Sequence, residues 1–385
     1  MGTTLVGGFA SIVELRQKGV NSSKRISASQ RRFLRWVWIY FLHFTGLLNW
    51  VVGKIATSSG IVVLTFHRVL PDPQFETTNS PPGMVVRKQT FEALISYLHA
   101  NCEIVALSGV SPDWKSSSQR PRVAVTFDDG WKDMVGIAHP IVLKYGVPVT
   151  VFVCPGLVGQ QRPFWPEQVS RAWSNAATSK TASDAFSIAC AEWFKERRFE
   201  PSLGRGLHDL IIRLKGVSPE QRKGILQRLS AIGESAKPSG QMDSSLEATL
   251  SWQDVSALNG EGCTFGSHSH THEILTVLKL EEARQELRES KEVIETILAS
   301  ECRMFAYPNG SWSHKVRDLV AQLGYSQAFI NEPGIWRPET DSCLIPRINV
   351  WEGSLTSVHG HFSAPVFQYA VFWRAYWEGL RKNRG

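Results

Sequence analysis

Val123-Ala-Val-Thr-Phe-Asp128-Asp129-Gly130 is the stretch on which the reading of this chain turns. It is an apolar, β-prone run that ends in two adjacent carboxylates. At the C-terminal end of a barrel strand, that is where catalytic side chains collect. Two neighbouring carboxylates repel, and one of them takes up a proton unless a cation offsets the charge. A bound metal ion would do so. An Asp-Gly pair can also close a hairpin, but Trp131–Tyr145 beyond it reads as a helix, which favours strand-then-helix.

Outward from this point, short β-rich runs alternate with helical patterns, as expected of a sheet or barrel of mostly parallel strands. The expected strands are Ile61–Phe66, Val123–Phe127, Val149–Val153, Cys263–Ser267, Met304–Ala306 and Leu344–Val350. Helical runs fall between them near 87–100, 133–145, 279–298 and 313–323. The rhythm breaks from about 160 to 248, where several helix-like pieces and a Gly/Ser/Pro-rich exit at Lys237–Gly240 suggest an insertion that walls the substrate groove. The remaining parts are a polar tail over 1–32, an apolar helix over 33–54, a catalytic domain over 55–365, and a C-terminal helix with a basic tail over 366–385.

At 385 residues, 43% hydrophobic and 20% charged, the chain has the balance of a folded, enzyme-sized protein rather than a disordered or polytopic one. The net charge of +7 is spread along the chain without a nucleic-acid-binding motif, so no nucleic acid partner is expected. Lys24, Arg25, Arg31, Arg32 and Arg35 precede an apolar stretch, which fits an anionic membrane surface or an anionic glycan. Residues 33–52 meet the length criterion for a membrane span. They fit equally a signal anchor, an interfacial helix carrying Trp36, Trp38, Tyr40 and Trp50, or a helix packed on the catalytic domain. The protein is then membrane-associated through this segment, or cytoplasmic. The cysteines at 102, 154, 190, 263, 302 and 343 show no Cys-x-x-Cys spacing and read as buried thiols.

A second chemical signal is Phe265-Gly-Ser-His268-Ser-His270-Thr-His272. In an extended chain, His268 and His272 would stand roughly 13 Å apart, too far to share an ion. In a helical turn their Cβ atoms approach to about 5–6 Å, with His270 pointing away. One carboxylate and two imidazoles suit zinc or a similar ion and leave positions open for chemistry. Such an ion acidifies its water toward a pKa of roughly 7 and polarises a carbonyl. Hydrolysis of an acetamide further needs a base, an oxyanion donor and an acid for the departing amine.

Thr126-Phe-Asp-Asp-Gly130, His268-Ser-x-x-His272 and Phe305-Ala-Tyr-Pro-Asn-Gly310, in that order, resemble the polysaccharide deacetylase family with the NodB homology domain, carbohydrate esterase family 4. The resemblance covers roughly 60–155 and 250–350. It implies an α/β fold, a distorted (β/α) barrel of seven to eight strands, and one divalent metal ion, zinc first. It also implies Asp128 as general base, with Asp129, His268 and His272 as ligands. Leu64-Thr-Phe-His67-Arg-Val before the Asp pair resembles the permuted exopolysaccharide branch, which implies His67 as the acid. The implied activity is removal of N-acetyl groups from a bacterial amino-sugar polysaccharide or its lipid-linked precursor, so the partner is a glycan.

The chain departs from the family pattern. Ala306 stands where many members carry arginine and Asn309 where they carry tyrosine. Arg347, in Ile345-Pro-Arg-Ile-Asn349, is the candidate replacement for the charge, and the backbone amide of Asn309 for the oxyanion donor. His359 and His361 are alternative acids. Trp131, Trp165, Trp312 and Tyr307 are candidate sugar contacts, although such residues more often sit in a core. The site also suits a deformylase, a cyclic-amide hydrolase or a catalytically weak glycan-binding protein.

Overall fold

The computed structural model describes residues 28–81, 83–110, 114, 119–161, 164–194, 206–235 and 248–382. Residues 1–27 of the expected tail and the exit at Lys237–Gly240 lie outside the described residues. The strands are β1 (Ile61–Phe66), β2 (Arg68–Leu70), β3 (Val85–Arg87), β4 (Glu103–Ile104), β5 (Arg122–Phe127), β6 (Val149–Val153), β7 (Cys263–Ser267), β8 (Met304–Ala306), β9 (Gln327–Ile330) and β10 (Ile345–Asn349). The order β1-β10-β9-β8-β7-β6-β5 closes through a β1–β5 pairing into a seven-strand barrel, parallel throughout. This is the NodB-type (β/α) barrel that the motifs imply. It is irregular: β7 and β8 are joined in register only at Ser267 and Phe305. β4 flanks the N-terminal end of β5 outside the ring, and β2 and β3 form a separate parallel pair.

The period of two in each strand decides what fills this barrel. Ile61, Val63, Ala124, Phe152, Met304, Ala306, Phe329 and Ile345 point inward, with Trp114 and Trp336 in the same cluster. Val62, Leu64, Phe66, Val123, Val125, Val149 and Val151 point outward onto the surrounding helices. Phe152 takes up interior space that Gly266 leaves free, since a Cβ on Gly266 would stand 2.7 Å from its ring. Truncating a side chain buried this completely costs about 3–5 kcal/mol. The inward parity runs on through Arg347 and Asn349 in β10 and just past the strand ends to His67, Asp128, His268 and Asn331, so the same periodicity that packs the core delivers polar side chains to one mouth.

The surrounding helices are α1 (Ala28–Phe44), α2 (Leu47–Ala56), α3 (Lys88–Asn101), α4 (His139–Lys144), α5 (Trp165–Ala176), α6 (Lys180–Phe194), α7 (Gly206–Lys215), α8 (Pro219–Ser235), α9 (Leu280–Leu298) and α10 (His314–Gln322). Helices α5 to α8 form the insertion and have their own core around Val169, Phe186, Leu210, Leu214, Ile225 and Leu229. The single apolar helix expected over 33–54 is instead two, α1 and α2, bent by 67°. The break falls at Gly46, whose φ of 77° is open to glycine at little cost. No single described helix is long and apolar enough to cross a membrane. A helical run over 364–382 packs beside this pair, with Val366, Tyr369 and Trp373 against Ile39, Leu42 and Leu48. Strand β9 follows Gly324 and is too short and mixed to announce itself. All six cysteines are buried and free.

Candidate active site

β5 runs out into Asp128, whose backbone amide donates to the Phe66 carbonyl at 2.9 Å and ties the exits of β1 and β5 together. Arg347 reaches it from β10 with two parallel bonds, Nη1 to Oδ1 at 2.7 Å and Nη2 to Oδ2 at 2.8 Å. Nη2 also donates to Asn331 Oδ1 at 3.0 Å. Both members of the pair are buried, and removing one partner of such a pair costs about 3–5 kcal/mol by stranding the other charge. Burial works against the charged form of Asp128, but the Arg347 guanidinium outweighs it and holds the carboxyl below its ordinary range.

Asp129 leaves the strand parity because its φ is 73°, in the left-handed region, followed by Gly130 at 69°. Its Oδ2 accepts from Trp131 Nε1 at 3.1 Å. Its Oδ1 is buried with no hydrogen-bond partner and lies 3.3 Å from His272 Nε2 and 3.6 Å from His268 Nε2. Burial opposes ionisation of Asp129, and the imidazoles around it, His272 foremost, hold its carboxyl well below the usual range nonetheless. His268 Nδ1 is 2.7 Å from the Ala306 carbonyl. A carbonyl only accepts, so Nδ1 carries the hydrogen and Nε2 turns a lone pair toward Asp129. Burial pushes the His268 imidazole down to about 4, which keeps it neutral at pH 7.

The histidines do not meet through a helical turn. Residues 268–272 form a loop after β7, with left-handed φ at Ser269 (63°) and His272 (62°), and this brings the two rings to 5.1 Å. His270 turns away, its Nε2 4.0 Å from Glu289, while Glu286 accepts from the amides of His270 and Thr271. Ligand atoms of Asp129, His268 and His272 all lie within 4.8 Å of one another. An orphaned carboxylate oxygen facing two imidazole nitrogens is a donor set that fits a divalent ion.

These groups form the floor of a cavity of about 530 Å³ that His67, Asn309, Asn331 and Asn349 also line. His67 Nδ1 has no partner. The residue after it is anchored: Arg68 donates to Asp133 Oδ2 and Ser80 Oγ, both at 2.9 Å, and Asp133 Oδ1 accepts from the Val69 amide. Trp165, Pro166, Leu207, His208, Ile211 and Lys215, all from the insertion, build one wall, and Pro81, Gly83, Met84 and Ile274 complete the lining. Lys215 Nζ contacts the Asn309 side-chain oxygen, and burial lowers its pKa. Asn309 sits at the left-handed position (φ 59°) of the turn after β8.

Several expected contacts are absent from the cavity. Trp131 is 1% exposed, sandwiched between Arg68 and Phe164 and bonded to Asp129, so it holds a carboxylate and meets no sugar. Tyr307 is fully buried, its hydroxyl donating to the Cys343 carbonyl at 3.0 Å. Trp312 packs on the core and donates to Glu332, outside the cavity lining. His359 and His361 lie exposed on the loop after β10 and do not line the cavity. Asn331, Asn349 and Lys215 were missed. For Asn349 the available signal is its place in the expected strand Leu344–Val350; β9 does not announce itself, so nothing in the sequence points to Asn331. Glu167 is also buried nearby; burial, with Asp129 beside it, pushes its carboxyl up to about 8, so it adds no third negative charge at neutral pH.

A parallel barrel thus brings a carboxylate pair and two histidines together at its C-terminal mouth, in an arrangement that could hold a metal ion. The polysaccharide deacetylase family profile matches residues 115–181 and 231–328, and the chain carries a polysaccharide deacetylase domain. YxkH of Bacillus subtilis (strain 168), assigned by name to polysaccharide deacetylation, is 28% identical over 103 residues. That match covers 26% of this chain and 37% of the relative, little over a third of its length. Among solved structures, the Streptococcus pyogenes deacetylase PplD in complex with acetate aligns over 77% of this chain and 94% of its own, with a TM-score of 0.49 and 16% identity. IcaB from Ammonifex degensii aligns over 83% and 98%, with a TM-score of 0.49 and 17% identity.

Proposed function

We propose that this protein is a metal-dependent N-deacetylase of an amino-sugar polysaccharide, of the exopolysaccharide type, or of its lipid-linked precursor. The observation that carries the reading is the orphaned Asp129 oxygen facing His268 and His272 beside an Asp128 held by Arg347. A divalent ion held by Asp129, His268 and His272, zinc first by its donors, would acidify water and polarise the amide carbonyl. Asp128 is charged at neutral pH, and each of its oxygens keeps a second lone pair beside its bond to Arg347, so it accepts the proton of the attacking water. The Asn309 amide stabilises the oxyanion. His67, which lines the cavity beside Asp128 and Asp129, protonates the departing amine. Trp165 and the apolar insertion wall provide a face for a sugar ring, and Lys215 and His208 provide polar contacts.

The test is acetate release from N-acetylglucosamine oligomers by the purified full chain, with and without chelator, beside Asp128→Asn and His268→Ala. Release that chelator abolishes and both variants lose supports the reading. A metal-loaded protein that releases formate from formylated amides but no acetate from any acetylated glycan would replace it with a deformylase.

A further inference from the structure

The α1–α2 pair is not explained by the chemistry of the mouth. Its inner face is spent on packing: Ile39, Leu42 and Leu48 lie against Val366, Tyr369 and Trp373, and Val51 and Ile55 join the main core. Its outer face is apolar and, among the described residues, uncovered. Phe33 (62% exposed), Val37, Phe41, Phe44 (83%), Leu47 and Trp50 project from it, at spacings that keep them on one side of α1 and around the bend. A soluble surface seldom leaves so large an apolar stripe uncovered.

Charge names the occupant. Residues 28–56 include Arg31, Arg32, Arg35 and Lys54 and no aspartate or glutamate. Arg31 and Arg35 are exposed and form no ion pair among the described residues. An aromatic-rich apolar stripe edged by unpaired cations matches the headgroup layer of an anionic bilayer. Length argues against crossing it: α1 with 17 residues and α2 with 10 reach about 25 and 15 Å, short of the roughly 30 Å hydrocarbon core, and their inner faces are already buried.

The position of α1 links this surface to the active site. Tyr40 lies 3.4 Å from Ser363, on the segment that follows the C-terminal end of β10. In the same segment, Glu352 accepts from the Arg87 amide and the Thr90 hydroxyl, at the start of α3. That is the end of the barrel from which Asp128 and Arg347 emerge. We infer that α1 and α2 form a monotopic anchor lying in an anionic bilayer interface, which holds the cavity mouth near the headgroups. Resting on the deacetylase reading, the substrate class this favours is a glycan still attached to, or emerging beside, a membrane lipid.

The experiment is flotation of the full chain with phosphatidylcholine vesicles, with and without phosphatidylglycerol, followed by alkaline carbonate extraction and light scattering of the free protein. The expected result is binding that needs the anionic lipid, is released by carbonate, and falls on the order of tenfold in Phe41→Ser/Phe44→Ser/Trp50→Ser and in Arg31→Glu/Arg35→Glu. All five side chains are exposed, so acetate release from soluble oligomers stays unchanged in both variants. That assay tests the deacetylase reading on its own. Equal binding by wild type and variants overturns the anchor. So does resistance to carbonate, which would make the pair a span, or a dimer abolished by the triple variant, which would make a second copy the occupant.

Discussion

Arg347 shows how a residue can move while its charge stays. Where the family resemblance leads one to expect an arginine, this chain has Ala306, whose carbonyl instead fixes His268. The guanidinium arrives from β10, two strands away, because position 347 shares the inward parity of Ile345. Its fork matches both oxygens of Asp128, which a lysine cannot do. Arg347→Lys should therefore lower kcat/KM by roughly ten- to a hundredfold. The same substitution should move the acid limb of the pH–rate profile upward. Arg347 holds the Asp128 carboxyl low, so weakening the pair raises its pKa, and the charged form is lost at a higher pH as acid is added. A profile whose acid limb stays in place would remove Asp128 as the base. Lys215 acts on a different parameter: it touches Asn309 and the cavity but none of the groups on its floor. Lys215→Ala is expected to raise KM several-fold with kcat within about twofold, as uniform binding requires, measured on oligomers of increasing length.

Six of the seven barrel strands, and the residues that end them, are legible in the sequence because continuous apolar, β-prone runs, buried on both faces in the barrel, stop where the chemistry begins. Other features were hidden because they depend on a backbone dihedral or on a distant neighbour. His268 and His272 meet through left-handed residues at 269 and 272 that no 3.6-residue period announces. Trp131 and Tyr307 look like mouth aromatics by position, but hydrogen bonds to Asp129 and to the Cys343 carbonyl draw them inside. The N-terminal apolar run is continuous in composition, and one glycine folds it in two. The insertion allows a test of its own. In α8, a Cβ on Gly233 would lie 2.9 Å from the Ala172 Cα in α5, against backbone that cannot rotate away. Gly→Ala inside a helix ordinarily stabilises by about 1 kcal/mol, whereas overpacking costs about 1–3 kcal/mol. The second effect should win, so Gly233→Ala is expected to loosen α5 against α8. Limited proteolysis would then cut within 165–235 sooner than in wild type, with the barrel fragment left intact. Unchanged protection would mean the two helices separate at no cost.

For the molecule as a whole, the proposed metal ligand and the proposed base are adjacent in sequence but face different partners, so their roles should separate thermodynamically. Asp129 faces the histidines and Asp128 faces Arg347. A ligand that binds only the folded state adds stability that grows with its concentration over Kd, about 2.7 kcal/mol at a hundredfold excess. For a chain of this size that amounts to a few degrees in Tm. Zinc added to chelator-stripped protein should thus raise the melting temperature of wild type by a few degrees, measured by scanning calorimetry at pH 7. Asp129→Ala should abolish the rise, because it removes the oxygen between the two imidazoles. Asp128→Asn should keep the rise although its starting Tm is lower, since it strands Arg347 as a buried unpaired cation while leaving the ligand set whole. Its acetate release should nevertheless be lost. If Asp128→Asn also lost the metal-induced rise, the two carboxylates would be acting as one chelating pair, and the base would have to be sought elsewhere on the cavity floor, with His67 the first residue to test.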